Sequence, residues 1–149
     1  MKEKDKFRYA EKCLYEYMTN LACLKILRDD LKIQRAGNDV HAQNYENAGG
    51  FTGEPSSPVH SYVVSVDVLE GRIRYLERRT KPITNLLEDL NSAEMLDGSK
   101  KADMMQILTL MYFGENKPKQ VIDELKMPRR TFTRRRNELV HLAIAYLGL

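Results

Sequence analysis

Apolar side chains recur every three or four residues along most of this chain. Over residues 5–36 they stand at Phe7, Ala10, Leu14, Tyr17, Leu21, Leu24 and Leu31, with one break where Arg28 intervenes. Such spacing keeps one stripe of a helix apolar, so it predicts a long amphipathic helix with a coiled-coil-like seam. Gly37 and Asn38 then supply a stop signal, because both tolerate the left-handed backbone that ends helices. From Val63 to Leu96 the rhythm returns at Leu69, Ile73, Leu76, Ile83, Leu87 and Leu90, with Thr80 as its polar break. Pro82 falls inside this stretch and either kinks the helix or opens a second one. Two long segments with matching seams predict an antiparallel hairpin that buries one seam against the other.

Between them, residues 37–62 are rich in Gly, Asn, Ser and Pro and keep no period, which predicts a long mobile loop. Its "GGFTGE" lacks the Gly-Lys-Ser/Thr ending and the flanking strand and helix of a phosphate-cradling loop. "LDGSKK" at 96–101 combines an Asp-Gly turn with Ser99 as a candidate N-cap, and a domain boundary is expected there. Beyond it, Met104, Ile107, Leu108, Met111 and Tyr112 form the buried stripe of a short apolar helix, the methionines serving as core filler.

The last third changes character. After Gly114, Pro118 suits a first helical position, and Val121, Ile122 and Leu125 make the inner face of a helix about two turns long. Lys126 and Met127 form a turn, and Pro128 marks the start of a longer helix, so the order is that of a helix-turn-helix. On this last helix Phe132, Leu139, Ala143 and Tyr146 share an inward arc, while Arg130, Thr133, Arg134 and Asn137 stand at i, i+3, i+4 and i+7 on the other side. Guanidinium forks suit guanine and an amide suits adenine, so these four are the candidate base-reading face. Lys126, Arg129, Arg135 and Arg136 flank it as candidate phosphate contacts.

Net charge sharpens this picture. The whole chain carries only +3, but residues 99–149 hold ten Lys and Arg against five Asp and Glu, whereas residues 36–62 hold none against three. The basic excess is local, as expected of a polyanion-binding module and not of a whole-protein field. Cations crowd the first turns of the last helix, where the helix dipole disfavours them and an approaching phosphate would offset that cost.

"TLMYFGENKPKQVIDELKMPRRTFTRRRNELVHLAIAYLG" resembles the C-terminal helix-turn-helix of phage late-transcription activators of the RinA and autolysin-regulator (ArpU) type, which is similar in turn to the last, promoter-reading region of sigma factors. The likeness is specific over residues 104–148 and lies in the general layout before that. It implies sequence-specific binding upstream of phage late genes and stimulation of host RNA polymerase. By position it implies that Arg129, Arg130, Thr133, Arg134 and Asn137 face DNA, with Phe132 as the buried anchor of the recognition helix. The chain departs from the pattern at Lys126, where many relatives have glycine, and at Pro128, where a capping Ser or Thr is common.

The expected fold is therefore all-α, with a helical hairpin over 1–96 and a compact three-helix unit, similar to sigma region 4, over 99–149. Double-stranded DNA is the expected partner, with bacterial RNA polymerase and self-association through the long helices as further candidates. A phage packaging protein of the small-terminase kind is the alternative, although such proteins usually place the DNA module first. RNA is disfavoured because no aromatic platform accompanies the arginines.

No enzyme and no cofactor are expected. His41, His60 and His141 are scattered, Cys13 and Cys23 lack metal spacing, and Asp29-Asp30 and Glu88-Asp89 diverge on a helix and cannot converge as acid and base. The two cysteines would stand about 15 Å apart at roughly 1.5 Å per residue, beyond disulfide reach. With neither a signal peptide nor an 18-residue apolar run in the sequence, the expected location is the bacterial cytoplasm, in association with the nucleoid, and not the membrane.

Overall fold

A computed structural model describes residues 1–47, 58–92 and 98–149. The described chain is all-helical, with no strand among the described residues. Helix α1 spans Glu3–Asn47, α2 Pro58–Asn91, α3 Gly98–Ile107, α4 Pro118–Leu125 and α5 Arg129–Leu147. Between α3 and α4 the chain continues as a π-helical segment, Leu108–Phe113.

The helix expected to stop at Gly37 continues past it to Asn47, and α2 already begins at Pro58. Helix therefore takes the outer parts of the expected 37–62 loop, while residues 48–57 lie outside the described residues. Gly37 meets nothing within 4 Å of an added Cβ. It asks only for helical backbone, which costs about 1 kcal/mol relative to alanine and does not by itself end a long helix. Pro82 likewise stays inside α2. It denies the Arg78 carbonyl its helical donor, but Ile83 and Leu86 directly after it are fully buried, and that packing holds the helix through the defect. Gly98 and Ser99 are both already within α3, so Ser99 does not stand outside it as an N-cap residue.

By internal contacts the chain forms two compact units, one of Met1–Asn20 with Arg78–Leu149 and one of Leu21–Glu77. The boundary expected at 96–99 falls partly on residues 93–97, which lie outside the described residues. The start of α1 and the end of α2 share the core of the C-terminal helices. Ala10, Leu14, Tyr17, Ile83, Leu86 and Leu90 form one buried cluster with Met104, Ile107, Leu108, Met111, Tyr112, Val121, Phe132, Leu139, Val140 and Ala143. Polar groups inside it are paired: the Tyr17 hydroxyl and Thr84 Oγ1 lie 2.8 Å apart, and Thr84 donates to the Thr80 carbonyl at 3.1 Å. Thr80, the polar break in the second seam, is itself buried at 3% exposure.

In the second unit Leu24 and Ile73 are buried. Arg28 donates to Glu77 at 2.9 Å and Arg35 to Glu70 at 2.7 Å, so moving up α1 moves down α2. Arg28, the break in the first seam, is thus a cross-helix tie.

Gly114 shapes the entry to α4. A Cβ there would lie 2.7 Å from the Leu110 carbonyl oxygen and 2.9 Å from that of Thr109, closer than real side chains come. The same Leu110 carbonyl accepts from the Asn116 backbone N–H at 3.2 Å and from Asn116 Nδ2 at 2.8 Å. Asn116 thus closes the end of the π-helical segment, which would otherwise leave that carbonyl without a donor.

Candidate nucleic-acid interface

Helices α4 and α5 are joined by Lys126, Met127 and Pro128, and the geometry of that turn is set by the first of them. Lys126 adopts φ 51° and ψ 39°, and its N–H donates to the Ile122 carbonyl. A left-handed residue at this point reverses the chain, and the departure from glycine therefore places a side chain where the backbone favours none. Pro128 is the N-cap of α5 with φ −59° and ψ 139°, and no side chain caps the helix. The first N–H groups of α5 are left for an external acceptor, since proline offers no oxygen on its side chain.

Helix α5 is held from below by Phe132, Leu139, Val140 and Ala143, all buried. Its opposite face presents Arg130, Thr133, Arg134 and Asn137, all exposed, and with Arg129, Glu138 and His141 they line a shallow open depression. Among the described residues no ion pair or internal hydrogen bond engages the side chains of Arg129, Arg130, Arg134 or Asn137. Thr133 donates to the Arg129 carbonyl at 3.0 Å, one turn back, and keeps its lone pairs outward. Lys126 is exposed as well. Six of the eight residues expected to meet nucleic acid therefore lie in the first half of α5 and the turn before it, and none of their cations is ion-paired among the described residues.

Arg135 and Arg136 are different. Arg135 donates through Nε to Asp103 at 3.2 Å and through Nη1 to Glu138 at 3.3 Å, with 13% of its side chain exposed. Arg136 donates to Glu11 Oε1 through Nε at 2.9 Å and Nη2 at 2.5 Å. Tyr112 donates to the same oxygen at 2.9 Å. Burial works against the Arg136 charge, but the bonds to Glu11 and Tyr112 outweigh it and hold its pKa above the usual arginine value. Burial, with the Glu11 charge beside it, pushes the Tyr112 phenol far up. As placed, these two arginines join α5 to α3 and α1 and are not offered to a phosphate. The reason is angular: at 100° per residue Arg136 lies about 40° from Phe132 and Arg135 about 60° from it, both toward the inner side.

Two cations outside the expected set stand on the exposed side instead. Lys117 and Lys119 flank Pro118 at the start of α4, both are exposed, and neither makes an ion pair among the described residues. Gln120 Oε1 accepts the Lys117 backbone N–H at 2.9 Å and fixes the first turn. Lys119 lines a second depression with Pro118, Ile122, Arg129, Phe132, Thr133 and Arg136, between the two helix starts. The signal was present in "KPK", where cations at a helix N-terminus oppose the dipole just as Arg129 and Arg130 do.

Chemically, the surface offers forked donors, an amide and a hydroxyl on one helical face, bordered by unpaired cations. That set can hydrogen-bond base edges and neutralise phosphates. Among the described residues no group of three His, Cys, Asp or Glu is placed to hold a metal ion, and no helix is long and apolar enough to cross a membrane. Compared with protein-family models, curated proteins and solved structures, the chain returns no match.

Proposed function

We propose that this protein is a sequence-specific DNA-binding transcriptional activator, in which α4, the Lys126 turn and α5 act as a helix-turn-helix behind an N-terminal helical hairpin. The observation that carries the reading is the sorting of arginines on one helix. Arg129, Arg130 and Arg134 are exposed and without an internal acid, while Arg135 and Arg136, next in sequence, are each bound by carboxylates. A merely solvated helix gives no reason for Arg129 and Arg130 to stand unpaired in the first turn against the dipole, with Arg134 unpaired on the same face.

In this reading Arg130, Thr133, Arg134 and Asn137 meet base edges in the major groove, and Arg129, Lys126, Lys117 and Lys119 meet the sugar-phosphate backbone. The resemblance to phage late-gene activators adds host RNA polymerase as the second partner and the nucleoid as the place of action. Roughly four to five phosphates neutralised would give a log-log salt slope near −4. The test is selection of bound duplexes from a random DNA pool followed by sequencing. An enriched motif supports a specific reader; recovery of unbiased sequence, or of nothing, overturns it.

A further inference from the structure

Arg136 differs from every other internally paired cation on α5 in that it also borders the Lys119–Arg129 depression. Its side chain is 30% exposed, against 13% for Arg135. Its Nε and Nη2 both donate to Glu11 Oε1, charge-assisted bonds of the kind a guanidinium also gives to phosphate oxygens. Glu11, with 17% of its side chain exposed, comes from the first turns of α1, 125 residues away in sequence. Tyr112 donates to that same oxygen and fixes where the carboxylate stands.

We infer that Glu11 is an internal stand-in for a nucleic-acid phosphate, neutralising Arg136 beside the depression and so limiting the protein's sequence-independent affinity for polyanions. The inference rests on the DNA-binding reading of this surface. With Glu11 in place the pair contributes no net charge to an approaching backbone, and the cations available there are Lys119 and Arg129. With the carboxylate removed, Arg136 becomes a further cation in the same depression and neutralises one more phosphate. Glu11 is thus a positioning residue that acts through Arg136 without touching DNA.

The experiment compares wild type, Glu11→Gln, Asp103→Asn and the double variant Glu11→Gln with Arg136→Met, on a random-sequence duplex across a salt series. Glu11→Gln is expected to tighten binding roughly 3- to 10-fold at about 0.1 M salt and to steepen the log-log slope by about 0.9. Asp103→Asn removes one of the two acids on Arg135, which stays paired with Glu138 and does not line the depression, and is expected to leave the slope unchanged; it controls for the loss of any acid. The double variant is expected to match wild type, and it keeps the test alive if Glu11→Gln alone unfolds. The inference is overturned if Glu11→Gln leaves the slope where it was or steepens it no more than Asp103→Asn does. A double variant whose slope is shallower than wild type by about 0.9 also overturns it, since Arg136 would then meet phosphate in the native protein. The same proteins on a phosphocellulose column report the freed guanidinium without any operator, with Glu11→Gln expected to elute at higher salt than Asp103→Asn. Failure of the selection experiment sinks the regulator, whereas failure here sinks only the role of Glu11.

Discussion

Replacing Lys126 with glycine should move stability and DNA binding in opposite directions. Lys126 sits at φ 51°, ψ 39°, where an L-residue is roughly 1–2 kcal/mol above its preferred backbone regions. Glycine removes that strain but has about 0.5–1 kcal/mol more chain entropy to lose on folding. The exposed Lys126 side chain makes no ion pair among the described residues, so its loss costs the fold little. The balance is a gain of about 0.5–1 kcal/mol, which at roughly 2 kcal/mol per molar of urea raises the unfolding midpoint by about 0.3–0.5 M. Binding to duplex DNA, if Lys126 meets a phosphate, should weaken at every sequence alike, with the salt slope shallower by about 0.9. Urea unfolding followed by circular dichroism and a salt titration on one duplex measure the two effects separately. A midpoint that falls or stays put would refute the strained turn; an unaltered slope would remove Lys126 from the phosphate set.

Other substitutions separate the arginines by role. Arg134→Ala should lower affinity for the selected motif by roughly 1–3 kcal/mol with little effect on random duplex, and equal losses on both would sink base reading. Arg135→Ala should spare DNA binding and cost about 1–3 kcal/mol of stability by leaving Asp103 and Glu138 without their donor; reduced DNA affinity with unchanged stability would contradict this. Gly114→Ala drives a methyl to 2.7 Å from the Leu110 carbonyl oxygen and should destabilise by roughly 1–3 kcal/mol, read as a lower thermal midpoint. Tyr146 donates to Asp89, and that bond, with burial and the nearby charge, pushes its pKa up to about 12 from an ordinary 10.0. The folded state then holds the proton longer than the unfolded one, so this contribution is intact below pH 10 and is lost as pH rises toward about 12. Tyr146→Phe should flatten the stability curve over that window, and an unchanged curve would argue against the bond.

Much of the candidate surface was legible in the order of residues because it depends on one helix alone. Arg130, Thr133, Arg134 and Asn137 share a face by virtue of spacing, and Phe132 and Leu139 turn the other face inward by burial. Local periodicity cannot reveal a partner at a distance, however. Nothing near Arg136 announces Glu11, and only the wheel position beside Phe132 hints that this arginine turns inward. The end of α1 departs from the local signal for a related reason. Gly37 and Asn38 are helix stops by propensity, yet a continuing helix tolerates a cost of about 1 kcal/mol.

From the sequence by itself follow the helical class, the two seams, the short-helix, turn, long-helix order after Gly114 and the outward set of arginines, because each is set by contacts a few residues apart. Tertiary structure alone decided which cations remain available and that the first twenty residues share a core with the C-terminal helices. Those outcomes depend on carboxylates and apolar surfaces that meet only when segments tens to more than a hundred residues apart are packed together, and pairing at that separation leaves no period in the chain.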